Sequence, residues 1–201
     1  MIRSASLKKM HFVPEHLHQL PYPFLKFQNL LLAMNKIYLL LICTLFSINL
    51  WADEYQSPEA FITEAFSGTP PKPKSLWVSK QLKEPVAKIL QHNPSFMRTR
   101  YWQEDNKTVW ILNETGKTQA ITVGIVIENN MISLLKVLTF RESRGWEVKH
   151  TFFTDQFKQI ELNDRNNLNK QIDGISGATL SVRALTKTAK LALFFNQQIQ
   201  K

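Results

Sequence analysis

Asp173-Gly174-Ile175-Ser176-Gly177-Ala178-Thr179-Leu180-Ser181 brings two glycines and three hydroxyls together in nine residues, immediately ahead of an apolar stripe. Gly174 and Gly177 open backbone angles closed to other residues and let the main chain approach a ligand closely. Val182, Leu185, Ala189 and Leu193 recur at helical spacing, so the turn predicts a C-terminal helix with Thr179 at its mouth. Free N–H groups and the positive end of the helix dipole favour an anion there, a phosphate above all. Ser176, Thr179 and Ser181 serve equally well as plain caps for orphan N–H groups, and local chemistry leaves both readings open. Arg183, one turn beyond Thr179, pairs with such a phosphate or is simply solvated.

The order of residues adds to this. Asp173 followed by Ser176-Gly177-Ala178-Thr179 resembles the flavinylation motif of the FMN-binding domain family, which includes the FMN-carrying subunits of sodium-pumping and related membrane oxidoreductases. All of the motif's fixed positions are present, and the resemblance extends over residues 96–198. It implies that Thr179 carries FMN through a phosphoester bond, installed by a separate flavin transferase that uses FAD as donor and a magnesium ion. It also implies roles for Asp173, Gly174, Ser176, Gly177, Ala178 and Ser181 around that cofactor. The expected function is a periplasmic electron-transfer flavoprotein that passes electrons between a membrane reductase and a membrane-bound redox partner. The alternative is a non-catalytic flavin-binding or sensory module docked to a larger membrane complex.

In the same family a loop containing Glu-Thr-Pro-Gly helps to enclose the flavin. Arg141-Glu142-Ser143-Arg144-Gly145-Trp146-Glu147 occupies the corresponding place, with Glu142 and Gly145 matching and Ser143-Arg144 replacing the Thr-Pro pair. Trp146 offers a flat face for an isoalloxazine ring or is a core or edge aromatic, since five tryptophans cannot all be flavin contacts. Arg141 or Arg144 balances phosphate charge in this reading.

The other end of the chain speaks to compartment. Met34-Asn35-Lys36, the apolar run Ile37 to Trp51, and Ala52-Asp53-Glu54 have the layout of a signal peptide over residues 34–52. The run is short for a membrane span, which needs about 20 residues. An uncleaved anchor to the inner membrane is the alternative, because Trp51 is bulky. Cys43 lacks the small residue expected before a lipid-carrying cysteine. Residues 1–33 are either the product of a misassigned start, with Met34 the true one, or an extended n-region.

Cleavage after Ala52 leaves 149 residues, enough for one domain with its own core, and no cysteine for disulfides or thiolate ligands. The full chain carries 25 basic and 16 acidic residues; five and one of these precede residue 53, so 20 against 15 remain. Lys72, Lys74, Lys80, Lys83 and Lys88 lie in its N-terminal part, facing solvent, anionic lipid or an acidic partner, and nothing indicates nucleic acid.

These residues must be positioned by an α+β fold: N-terminal helices, an antiparallel β-meander and a C-terminal helix packed on the sheet. Ser57-Pro58-Glu59 starts a short helix that Gly68 stops, and Thr69 to Lys74 forms a proline-rich extended connector. Leu76 to Leu90 reads as a second amphipathic helix, bent or divided at Pro85 and ended by His92-Asn93-Pro94, so that residues 53–95 make a helical N-terminal segment. Strands follow at Arg98 to Trp102, Thr108 to Leu112, Gln119 to Ile127 and Ile132 to Phe140. No Gly-x-Gly-x-x-Gly or phosphate-loop motif occurs. His92 and His150 lie far apart without carboxylate spacing suited to a metal or a nucleophile. A dinucleotide-dependent dehydrogenase is disfavoured, and a small carrier whose organic cofactor does the chemistry remains.

Overall fold

The computed structural model describes residues 53–200 together with Met34. Apart from Met34 itself, the residues of the start-site, signal-peptide and Cys43 readings lie outside the described ones. In chain order the elements are β1 (Asp53–Glu54), α1 (Pro58–Ala65), β2 (Lys74–Trp77), α2 (Lys80–Leu90), β3 (Arg98–Glu104), β4 (Lys107–Thr115), β5 (Ala120–Glu128) and β6 (Met131–Phe140). A 3-10 turn (Trp146–Lys149), the short α3 (Thr151–Thr154), a second 3-10 turn (Asp155–Phe157) and the long α4 (Thr179–Ile199) complete them.

The four expected strands form a meander inside one antiparallel sheet ordered β1-β6-β5-β4-β3-β2. Two short edge strands widen it to six. β1 pairs with the end of β6, and β2 pairs Leu76 with Thr99 and Trp77 with Arg98. Sequence periodicity assigns Leu76 and Trp77 to a helix, but cross-strand pairing claims them, and α2 starts only after Ser79. Local propensity yields to a ladder it cannot foresee. α2 also runs through Pro85 as a single helix, with Gln91 in the left-handed conformation at its end. α1 begins as expected: the Ser57 hydroxyl accepts a hydrogen bond from the Ala60 N–H at 3.1 Å, with Pro58 in the first turn.

Alternation along β4 divides the core into two layers. Trp110 and Leu112 join the larger cluster, which includes Leu185, Ala189, Ala192 and Phe195 of α4; Trp110 stacks on Tyr101 at 4.9 Å and tilts against Phe195 at 5.7 Å. Val109, with Val126 and Leu138, packs instead under Phe61 and Ile62 of α1. β5 is therefore buried on both faces and reads as a continuous apolar run. Polar side chains fasten the far end of α4: the Thr108 hydroxyl donates to Asn196 Oδ1 at 2.7 Å, Trp110 Nε1–H donates to that hydroxyl at 3.0 Å, and Asn196 Nδ2 donates to Asn130 Oδ1 at 2.9 Å.

Gly124, in the middle of β5, lies beneath the fully buried Phe61 ring. A Cβ there would sit 2.5 Å from Phe61 Cε1 and 2.7 Å from Cδ1. The ring is fully buried, so Phe61 and the α1 helix that carries it would have to shift. Gly124→Ala is expected to cost about 1–3 kcal/mol while leaving the α4 layer assembled, as chemical denaturation of the two proteins would show.

Candidate functional site

α4 is 21 residues long, and its N-terminus lacks a side-chain cap. Ala178, the residue before it, is buried, donates its N–H to the Ile175 carbonyl at 3.0 Å, and accepts the first helical hydrogen bond from the Val182 N–H at 2.9 Å. No hydroxyl of the motif caps the helix. Thr179 is exposed, whereas Ser181 is buried. The capping role that local chemistry left open for these hydroxyls is thus not taken. Gly177 has φ +81°, in the left-handed region, and no atom lies within 4 Å of the position a Cβ would take. Conformation alone demands glycine there, and the space beside it is open. Gly174 is equally unobstructed. Further back, the Asp173 N–H donates to Gln156 Oε1 at 2.7 Å, tying the turn to the second 3-10 segment.

Residues 141–147 reach the start of α4 through Gly145. Its φ of +85° is again left-handed, and a Cβ there would meet Ser181 Oγ at 2.6 Å and Ala178 Cβ at 3.3 Å. Two stretches separated by more than thirty residues in sequence are thereby in contact, with glycine as the condition. Glu142 has its own task. Its carboxylate accepts hydrogen bonds from the N–H groups of Lys117, Thr118 (2.7 Å) and Gln119 (2.9 Å), and from the Thr118 hydroxyl at 3.2 Å. Burial pushes its carboxyl up, but the backbone and hydroxyl donors together outweigh this and hold it below the ordinary value. Arg141 likewise serves the sheet, donating to the Ala120 carbonyl at 3.2 Å and to the Thr122 hydroxyl at 3.0 Å.

Trp146 is 47% exposed and thus not a core residue. The Lys149 ammonium lies 5.2 Å from its ring centroid, and the His150 ring meets it edge-on at 5.3 Å. His150 also stacks with the exposed Phe152 at 6.1 Å, which makes it a surface histidine.

On the opposite flank, α2 and α4 enclose a cleft of about 260 Å³. Thr179, Val182, Arg183, Thr186, Lys187 and Lys190 line its α4 wall, with Ile89 and Gln91 facing them. Among the described residues, three cations and no acid border the space into which the Thr179 position opens. An uncapped helix start, an open left-handed glycine and these cations form a donor set that fits a phosphate monoester.

Behind the cleft stands a cluster that sequence reasoning missed. Glu114 of β4 occupies an inward position of the alternation, with a side chain only 5% exposed. Lys187 Nζ lies 3.5 Å from its Oε1, and His92 Nε2 lies 3.1 and 3.2 Å from its two oxygens. His92 Nδ1 faces the Asn93 carbonyl at 2.9 Å. Both ring nitrogens face oxygens that can only accept, so the ring is satisfied as imidazolium. The Asn93 carbonyl is the largest cause of its raised pKa; burial works against the rise, and Glu114 adds to it. The signal in the sequence was a carboxylate in step with Thr108, Trp110 and Leu112. Ending that strand at Leu112, where β4 runs on to Thr115, concealed it.

Because folding raises the His92 value, the charged ring contributes stability in full below the unfolded value near 6.5, and that contribution disappears as pH rises through the folded value. His92→Gln is therefore expected to lower the thermal midpoint at about pH 5.5 and to approach the unsubstituted protein at about pH 8. Melting curves at both values check this; an equal deficit at both would mean that His92 acts by packing alone.

The architecture defines an α+β domain that presents an anion-receptive helix start at the edge of a basic cleft. Residues 116–193 match the family model described as the FMN-binding domain. The match assigns FMN binding to the domain and spans the Glu142–Gly145 loop, the Asp173–Thr179 turn and most of α4. No curated protein and no solved structure matches the chain.

Proposed function

We propose that the protein is an exported electron-transfer flavoprotein that carries FMN covalently on Thr179 and passes electrons between a membrane reductase and a redox partner. One observation carries the reading: within the matched segment, an exposed threonine hydroxyl begins an uncapped 21-residue helix, beside an unobstructed left-handed glycine and a cleft bordered by Arg183, Lys187 and Lys190. The hydroxyl is accessible to a modifying enzyme, and no internal hydrogen bond engages it as a cap. The N–H groups of the first turn and Arg183, one turn further on, balance the single negative charge of the phosphodiester that attachment to Thr179 produces.

When bound, FMN supplies reversible one- and two-electron chemistry. The chain's own residues bind and orient it. Gly177 keeps the approach to Thr179 clear, Gly145 holds residues 141–147 against Ala178 and Ser181, and Glu142 fixes the β4–β5 turn from which that loop is braced. Flavin transferase, with FAD as donor and magnesium, is the proposed modifying partner. The signal-like residues 34–52 support a periplasmic site, with anchoring to the inner membrane if the segment is retained.

Mass spectrometry of the full chain co-expressed with a flavin transferase tests the reading. An FMN adduct is expected on the peptide containing Thr179, and dithionite should bleach the purified protein reversibly. An unmodified chain under conditions that flavinylate a control acceptor would overturn it.

A further inference from the structure

We propose that Glu114 is a positioning residue for the anion cleft, holding the Lys187 ammonium at its wall while His92 governs how much positive charge the cluster presents there. The inference rests on the FMN reading for the identity of the anion, though not for the electrostatics.

Three elements converge on one buried carboxylate: His92 from the segment following α2, Glu114 from β4 and Lys187 from α4. Lys187 is only 16% exposed, yet it lines the cleft that begins at Thr179. The lysine that lines the cleft is thus the one whose ammonium lies 3.5 Å from Glu114. A lysine on a four-carbon stem would otherwise extend into solvent, and the carboxylate fixes its direction. Two cations share one anion, so the cluster carries a net charge of +1 while His92 is protonated and zero once it is not. The other charged residues lining the cleft are the cations Arg183 and Lys190 on α4, while Lys88 in the last turn of α2 lies outside its lining and is paired with Glu84 at 2.9 Å. Among the described residues, no carboxylate lines the cleft to offset the loss of the imidazolium charge. Anion affinity should therefore fall as His92 deprotonates.

The test uses the full chain carrying Thr179→Ala, so that binding is reversible, with FMN and inorganic phosphate as separate probes titrated at about pH 5.5 and 8. The phosphate group's own second ionisation near 6 is common to every variant and cancels in ratios taken at one pH. Adding His92→Gln should weaken binding about three- to tenfold at the lower pH and leave it unchanged at the higher. Adding Glu114→Gln should weaken binding at both pH values because Lys187 loses its direction, and unchanged or tighter binding in a folded variant would show that Glu114 only offsets charge and would overturn the positioning role. Lys187→Met should weaken binding at both. A purely structural ion pair would change the melting temperature in all three variants without this pattern of affinities.

Unchanged affinity in the Lys187→Met protein, or equal effects of His92→Gln at both pH values, would overturn the proposal. Should circular dichroism show that Glu114→Gln does not fold, the His92 and Lys187 variants decide the matter alone. A phosphate response without FMN binding would leave the positioning role standing and count against the FMN reading; reversible FMN binding with no pH-dependent difference among the variants would do the reverse.

Discussion

Thr179→Ala should abolish covalent flavin altogether while changing stability by no more than about 0.5 kcal/mol. The side chain is exposed, caps nothing, and sits at the first position of a helix in which alanine is the most favourable residue. Neighbouring hydroxyls are poor substitutes: Ser181 is buried against Gly145, and Ser176 precedes the left-handed Gly177 on the other side of the turn. Denaturing electrophoresis with in-gel fluorescence reads the outcome directly, and covalent flavin persisting in the Thr179→Ala protein would sink the assignment. In membranes, this variant should fail to restore electron flow to a strain lacking the protein. Full restoration by the flavin-free form would favour a docking or sensory module over a carrier.

Much of the arrangement was legible because local chemistry and tertiary structure agree. Ser57-Pro58 starts a helix whatever surrounds it, the β-branched runs from Arg98 to Phe140 pair with their nearest neighbours, and Gly177-Ala178-Thr179 opens α4 where the apolar stripe begins. What escaped depends on contacts distant in sequence. Leu76 and Trp77 become a strand only because β3 offers an edge. Val148, Phe153 and Phe157, in a region to which no periodicity gives an element, are held by burial in the core cluster. At the site, the motif named Thr179 by resemblance, but nothing in it showed that Glu142 would be engaged by the N–H groups of residues 117–119, or that Arg141 would brace β5. The Glu114 cluster required three elements to be superposed before its charges could be counted.

Gly145 and Gly177 share the left-handed conformation but differ in what surrounds them, and this separates folding from modification. Gly177→Ala adds a methyl group to open space, so its cost is conformational, about 1–2 kcal/mol, and the domain should remain folded. The methyl group still intrudes where a phosphate or a modifying enzyme must approach, so flavinylation should fall sharply. Gly145→Ala combines the same backbone strain with a Cβ placed only 2.6 Å from Ser181 Oγ in a buried contact. The expected loss is about 2–5 kcal/mol, with residues 141–147 displaced from the start of α4. Denaturant midpoints and flavin incorporation should therefore fall together in Gly145→Ala and part company in Gly177→Ala. If Gly177→Ala is fully modified at unchanged rate, the open space beside that glycine does not serve the approach to Thr179. If Gly145→Ala is as stable as the unsubstituted protein, the loop and the helix start are not the packed unit that their geometry describes.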